Sequence, residues 1–180
     1  MKRLILILYL VFFTNFLSAE IINKIKIEGN DRISDETIKV YGEVSVNQNI
    51  DNIKINEIIK NLYSTNFFED IKVTVSNKTL LIKLIEHPVI NEIIILGEDA
   101  KKYKEAIKEN IKSKKNGPFV KSLIAEDEVV IKKIYNSLGF NFIEIKSKVQ
   151  KFTKKRVNLY FEINKGEKTE INKINFKGDK

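Results

Sequence analysis

The chain has 180 residues, with 32 Lys and Arg against 24 Asp and Glu, one His and no Cys. Without cysteine there are neither disulfides nor thiolate metal sites, so each folded unit is held by its apolar core alone. The formal charge of +8 is spread along the whole chain, which argues against a nucleic-acid footprint, since that needs Lys and Arg clustered on one face. The denser basic stretches, 101–115 and 151–156, read as solvated helix and hairpin surfaces.

At the start, Lys2 and Arg3 precede an uninterrupted apolar run from Leu4 to Phe13, and Leu17-Ser18-Ala19 ends in a small residue. This predicts a secretory signal peptide, 1–19, cut after Ala19. The run is well short of the roughly 20 apolar residues that span a bilayer. Removing Lys2 and Arg3 leaves 30 basic residues (32 minus 2) against 24 acidic ones. The mature chain is then only mildly basic and exported, and the absence of cysteine suits a periplasm.

A nine-residue pattern occurs three times: Ile22-Asn-Lys-Ile-Lys-Ile-Glu-Gly29-Asn30, Ile90-Asn-Glu-Ile-Ile-Ile-Leu-Gly97-Glu98 and Ile171-Asn-Lys-Ile-Asn-Phe-Lys-Gly178-Asp179. The glycines lie 68 (97−29) and 81 (178−97) residues apart, which fits a small globular unit in tandem better than a solenoid. The spacing predicts two whole units, 20–88 and 89–166, and the first strand of a third within 167–180.

In the first unit, Ile25 and Ile27 alternate with Lys24, Lys26 and Glu28, a half-buried strand closed by a turn at Gly29-Asn30. Ser34 reads as the N-cap of a short helix ending near Gly42, with Asp35 and Glu36 in its first turn and Ile33 and Ile38 as a hydrophobic staple. A second helix begins at Asp51 and buries Ile55, Ile58, Ile59 and Leu62, and Asn66 follows as a left-handed cap. Strand 69–75 alternates, Ser76-Asn77-Lys78 makes a hairpin turn, and the almost wholly apolar strand 79–85 reads as central and buried on more of its surface. The class is α+β. Each unit is β-α-α-β-β, a three-stranded mixed sheet with both helices on one face, the first strand parallel to the last.

The second unit repeats this order. A helix is predicted over about 99–113 and a second around Ile131, Ile134, Tyr135 and Leu138, with Gly139 in the place of Asn66. Strand 140–149 changes phase near Ile143, which reads as a bulge, and 156–163 alternates cleanly. Glu86-His87-Pro88 joins the units and is too short for a flexible linker. His87 is a formal candidate for a general base, but with no second His, no Cys and no ligand-spaced carboxylates beside it, it reads as a linker residue. No phosphate-binding glycine loop occurs. Neither an enzyme, a cofactor nor a metal is expected.

Three motifs carry a resemblance: Ile25-Lys-Ile-Glu-Gly29-Asn30, Arg32-Ile33-Ser34-Asp35-Glu36-Thr37, and Leu62-Tyr-Ser-Thr-Asn66-Phe-Phe68-Glu69-Asp70-Ile71, the last with Asn66 where the family usually has Gly. In this order they resemble the polypeptide-transport-associated (POTRA) domains of the BamA family of outer-membrane protein assembly factors. Glu86-His87-Pro88 and Ile163-Asn164-Lys165-Gly166 resemble that family's domain junctions. The likeness implies a periplasmic peptide-binding scaffold that receives unfolded outer-membrane proteins. It also implies accessory assembly lipoproteins as partners and a C-terminal membrane β-barrel that a full member of the family has and this chain lacks. Related outer-membrane secretion and translocation proteins carry the same domain, although a third repeat counts against the two-domain secretion type. A cell-division scaffold with one such domain would need a retained anchor.

Strand addition is the mechanism expected of such a scaffold, because an edge strand offers unpaired backbone groups to any extended chain. The candidate binding residues are Ile71, Lys72, Val73, Thr74 and Val75 on strand 69–75, and Phe142, Glu144, Ile145 and Lys146 on a strand running over 142–148. The opposing reading is that Lys72, Lys146 and Lys148 merely protect these edges from pairing.

Overall fold

The computed structural model describes residues 20–178, so the predicted signal peptide, 1–19, lies outside the described residues. The chain divides into two compact units between Glu86 and His87.

The first unit runs β1 (Glu20–Ile21), β2 (Lys24–Glu28), α1 (Asp35–Tyr41), β3 (Asn49–Ile50), α2 (Asn52–Ser64), β4 (Phe68–Ser76) and β5 (Thr79–Glu86). The cap residues act as the sequence predicts. Ser34 Oγ accepts the Thr37 amide at 3.2 Å and Asp51 Oδ1 accepts the Lys54 amide at 2.7 Å, each satisfying one of the donors that a helix start leaves open. Asn66 follows α2 at φ 59°, in the left-handed region.

The sheet order is β2-β5-β4, with β2 parallel and β4 antiparallel to β5. Ile71, Val73, Leu80, Ile82 and Leu84 turn one face of it towards Ile38, Ile58 and Leu62 of the helices. β5 is central, as its apolar run implies, but only this face is covered. Ile85 is 55% exposed and Leu81 half-buried, because both helices pack on the same side and nothing described covers the other.

The second unit runs β6 (Val89–Leu96), α3 (Lys101–Asn110), α4 (Lys121–Ser137), β7 (Glu144–Lys151) and β8 (Arg156–Asn164), with sheet order β6-β8-β7 and the same parallel and antiparallel pairing. Ile90, Ile93, Ile95, Leu159, Phe161 and Ile163 meet Ile107, Ile124, Ile131 and Tyr135 in its core. Corresponding residues of the repeat make the same backbone bonds. The Ile22 amide donates to Gln48 and its carbonyl accepts from Asn47, while the Ile90 amide donates to Gly117 and its carbonyl accepts from Asn116.

The glycine of the repeat has a specific task. Gly29 and Gly97 sit at φ +90° and +77°, and a Cβ on either would lie 2.0 Å from the carbonyl oxygen of Leu84 or Ile163, at the end of the parallel central strand. Only a residue without a side chain permits that approach at that φ.

Beside this crossing each unit has an acidic clamp. In the first, Glu86 Oε1 accepts the amides of Asp31 and Arg32, both at 2.9 Å, and of Ile33 at 3.2 Å, while Oε2 meets Arg32 Nε at 2.8 Å. In the second, Glu98 accepts the Ala100 amide at 2.9 Å and the Tyr135 hydroxyl at 2.5 Å, and pairs with Lys165 Nζ at 3.1 Å.

Four expectations are corrected. Helix α3 is shorter than 99–113: it starts after Ala100 and stops where Ile111 turns extended, at ψ 151°. The following amides of Lys112 and Ser113 then bond to the fully buried Asp127 at 2.6 and 3.0 Å. Strand β7 begins at Glu144, not Phe140. The phase change near Ile143 is a turn at 141–142 that lets Ile143 bury, and β7 pairs with β8 in unbroken register with no bulge. The register irregularities lie instead between Phe68 and Asp70 and between Ile90 and Glu92. Last, 171–177 is not a strand: a strand exists only as part of a ladder, and no described strand pairs with this segment.

Candidate strand-binding edges

The sheet orders leave β4 and β7 as outer strands, each lying against the longer helix of its unit, α2 or α4. What an edge can bind depends on which of its residues turn their backbone groups outward.

In β4 the hairpin turn settles this. Asn77 and Lys78 both have positive φ, 50° and 57°, the conformation of a two-residue type I′ turn, which makes its flanking residues Ser76 and Thr79 a hydrogen-bonded pair. Alternation then turns Thr74 and Lys72 towards β5 and leaves Ile71, Val73 and Val75 with N–H and C=O pointing away. The Ile71 amide does point outward, donating to the hydroxyl of Tyr63 on α2 at 3.3 Å.

In β7 the Phe152 amide donates inward to the Arg156 carbonyl at 2.9 Å. With unbroken register this turns Gln150, Lys148 and Lys146 inward and Ile145, Ser147 and Val149 outward. Here too one outward amide is engaged from the helix, Ser147 donating to Glu128 Oε1 at 2.9 Å.

The residues singled out in the sequence have distinct placements. Ile71 and Val73 are buried, so their side chains belong to the core and only their backbones reach the edge. Lys72 and Thr74 are exposed on the uncovered face and Val75 is half-buried. Glu144, Ile145 and Lys146 lie on β7, with Ile145 packed against the core and both charged side chains exposed. Phe142 is corrected: it lies in the turn before β7, 77% exposed, and offers no ladder position. The edge is 144–151, and Ser147 and Val149 belong to it.

Next to β7 opens a groove of about 480 Å³, lined by Glu128, Val129 and Lys132 of α4 and by residues 143–146. Val129 is 53% exposed there. A strand laid along β7 would put alternate side chains into this groove, against Val129 and Ile145, and the others over Lys146 and Lys148. Sequence reasoning missed the helix side of the site, Glu128, Val129, Lys132 and Tyr63. No spacing signal marks which helix residues overhang a strand edge.

Electrostatics sets the clamps apart from the edges. Burial pushes the Glu86 carboxyl up, but the hydrogen bonds from Arg32, Asp31 and Ile33 outweigh it and hold it below the usual carboxylate value. Glu98 is likewise held low, burial being outweighed by the Tyr135 hydroxyl, the Ala100 amide and Lys165. Burial, followed by the bond to Glu98, holds the Tyr135 hydroxyl well above its ordinary range. Both clamps therefore carry a charged carboxylate at neutral pH.

With this geometry in view, the likeness to known proteins is specific. The family model for POTRA, described as a surface antigen variable number repeat, matches residues 88–166. The outer membrane protein assembly factor BamA of Neisseria meningitidis serogroup B (strain ATCC BAA-335 / MC58) is 30% identical over 161 residues, covering 88% of this chain and 20% of the relative. BamA of Neorickettsia risticii (strain Illinois) is 22% identical over 171 residues, covering 95% of this chain and 23% of that one. The chain thus spans about a fifth of the length of these curated relatives. In fold it is similar to the N-terminal domain of Omp85 from the thermophilic cyanobacterium Thermosynechococcus elongatus, with a TM-score of 0.56 at 12% identity, over 80% of this chain and 63% of that one. Residues 88–166 are a POTRA domain, and the chain is a tandem POTRA region of the BamA family of outer-membrane protein assembly factors.

Proposed function

We propose that this tandem region works in the periplasm as the receiving part of an outer-membrane assembly machine, binding unfolded outer-membrane proteins by adding their extended segments to β7 and, more weakly, to β4. The observation that carries this reading is the outward backbone of Ile145, Ser147 and Val149, on an edge whose first residues line the groove beside α4. Backbone bonding makes no demand on the client's sequence, which suits a receptor for many different chains. The groove adds a preference for strands with one apolar and one polar face, the alternation that membrane β-barrel strands carry. The predicted signal peptide, 1–19, would deliver the chain to that compartment, and accessory lipoproteins and a β-barrel are the partners the family likeness implies. No described helix is long and apolar enough to cross a membrane. The role is binding and hand-over, with no chemical step.

Amide chemical shifts during titration with a peptide copied from a barrel strand test the reading. The expected result is movement of Ile145, Ser147 and Val149 amides, with smaller changes over 71–75. Shifts confined to the helices, with both edges silent, would refute strand addition even if the peptide binds.

A further inference from the structure

The acceptor on the outward Ser147 amide is the side-chain carboxylate of Glu128, at 2.9 Å. That oxygen stands where the backbone carbonyl of an added strand has to sit. We propose that Glu128 is a gate on the β7 edge, occupying the central ladder position of the empty protein and yielding it to an incoming extended chain, a proposal that rests on the strand-addition reading above.

Three features of the site support a gate over a passive cap. First, outward backbone groups recur every second residue, so Ser147 lies between the outward groups of Ile145 and Val149, and a strand long enough to use both must cross it. Second, an ionised carboxylate has acceptor sites only. It cannot share the Ser147 amide with a second acceptor or donate to the arriving carbonyl, so it must leave. Third, the carboxylate has somewhere to go. Glu128 and Lys132 are four apart on α4, hence neighbours on one helix face, and both line the groove, so the displaced side chain can pair with Lys132.

The arrangement answers a physical problem that any strand receptor has. An edge of outward backbone groups beside a groove that holds Val129 and Ile145 is a template for pairing with any chain, including a second copy of itself. Blocking the middle position breaks the row into isolated groups too short to nucleate a ladder, while leaving the edge available to a ligand that brings enough contacts along the groove. The gate therefore lowers affinity for short or weakly matching segments and spares long, alternating ones.

The experiment uses the full chain and, as probe, a ten-residue synthetic strand of alternating Val and Thr with a Lys at each end. Kd and amide shifts are read for the wild type, Glu128→Gln and Glu128→Ala, and the exchange rate of the Ser147 amide is measured without peptide. Removing the carboxylate should tighten binding about fivefold, since displacing one hydrogen bond costs on the order of its net worth. The Gln variant, a weaker acceptor, should fall between. Without peptide, Ser147 exchange should quicken in the Ala variant while Val157 and Leu159 of the central strand keep their rates. If the 145–149 amides shift in all three proteins but Kd is the same in each, the gate is refuted and strand addition stands. If no protein shows those shifts, strand addition fails and the gate falls with it. An unchanged Ser147 exchange rate in the Ala variant overturns the gate alone. Should the Ala variant not fold, the comparison of wild type with Glu128→Gln carries the same two readings.

Discussion

The three glycines of the repeat allow a test in which sequence context is nearly constant and structure is not. Placing a Cβ on Gly97 brings it 2.0 Å from the Ile163 oxygen and 3.1 Å from its carbon. The carbon–oxygen separation in a weak contact is about 3.3 Å, so the end of β8 must move by more than an ångström. Holding Ala at φ +77° costs a further ~1–2 kcal/mol, and the displacement breaks one or two bonds of the β6–β8 ladder at about 1 kcal/mol each. Gly97→Ala should therefore destabilise the second unit by roughly 3 kcal/mol, lowering its Tm by on the order of 10–20 °C for a domain of this size. Gly178 has nothing within 4 Å, so Gly178→Ala is the matched control and should change Tm by no more than about 2 °C. Thermal unfolding followed by circular dichroism, with amide resonances assigning the loss to one unit, provides the measurement. If Gly97→Ala costs less than about 1 kcal/mol, or if Gly178→Ala costs as much, the close-approach explanation of the repeat is wrong.

Further expectations concern single side chains. Asp127→Ala strands the Lys112 and Ser113 amides in a buried site and should cost about 2–3 kcal/mol in urea unfolding, with Asp127→Asn intermediate because it keeps one acceptor. Asn66→Gly should be neutral or slightly stabilising and Asn66→Val should cost about 1–2 kcal/mol, read from the same transitions. Glu86 is held below its usual value when folded. Its contribution is therefore complete above the unfolded carboxylate pKa of about 4.3 and is lost as pH falls through the lower folded value. Glu86→Gln should accordingly be less stable than the wild type at pH 7, and the gap should shrink as pH falls below about 4. A gap that stays constant down to pH 2 would place the stabilisation elsewhere.

Local chemistry was readable where one residue decides an outcome by itself. Ser34 and Asp51 cap helices because a side-chain oxygen bonds an amide three residues on, an interaction contained in four residues of sequence. The apolar run of β5 also marks its central position, although Leu81 and Ile85 have no second layer over them among the described residues. Failures occurred where a residue's task is set by a distant partner. The apolar Phe140, Phe142 and Ile143 suggest a strand back to Phe140, whereas the chain turns at 141–142, beside the turn-forming Asn141, and buries Ile143. Glu128 and Tyr63 could not be assigned to an edge because helix overhang is a tertiary quantity. At the functional site the strands were legible and the helix wall was not.

The two clamps show why the repeat could be found while its most specific interaction stayed hidden. Gly29 and Gly97 approach Leu84 and Ile163 at the same 2.0 Å, so these pairs correspond in space, and Glu86, two residues after Leu84, corresponds to Lys165, two after Ile163. In the first unit the end of the last strand carries the acid and the loop after the first strand carries the cation, Arg32. In the second the strand end carries the cation and the loop carries the acid, Glu98. The attraction across the crossing is kept while acid and cation change sides, the loop charge lying at Arg32 in one unit and at the position of Asn30 in the other. Aligning the repeats sets Asn30 against Glu98 and Glu86 against Lys165, two unlike pairs that look like drift in a linear comparison. Only when the strand ends are known to meet do the differences become one compensated exchange. The attraction depends on the product of the two charges and not on the sign of either, and that is information no single position holds.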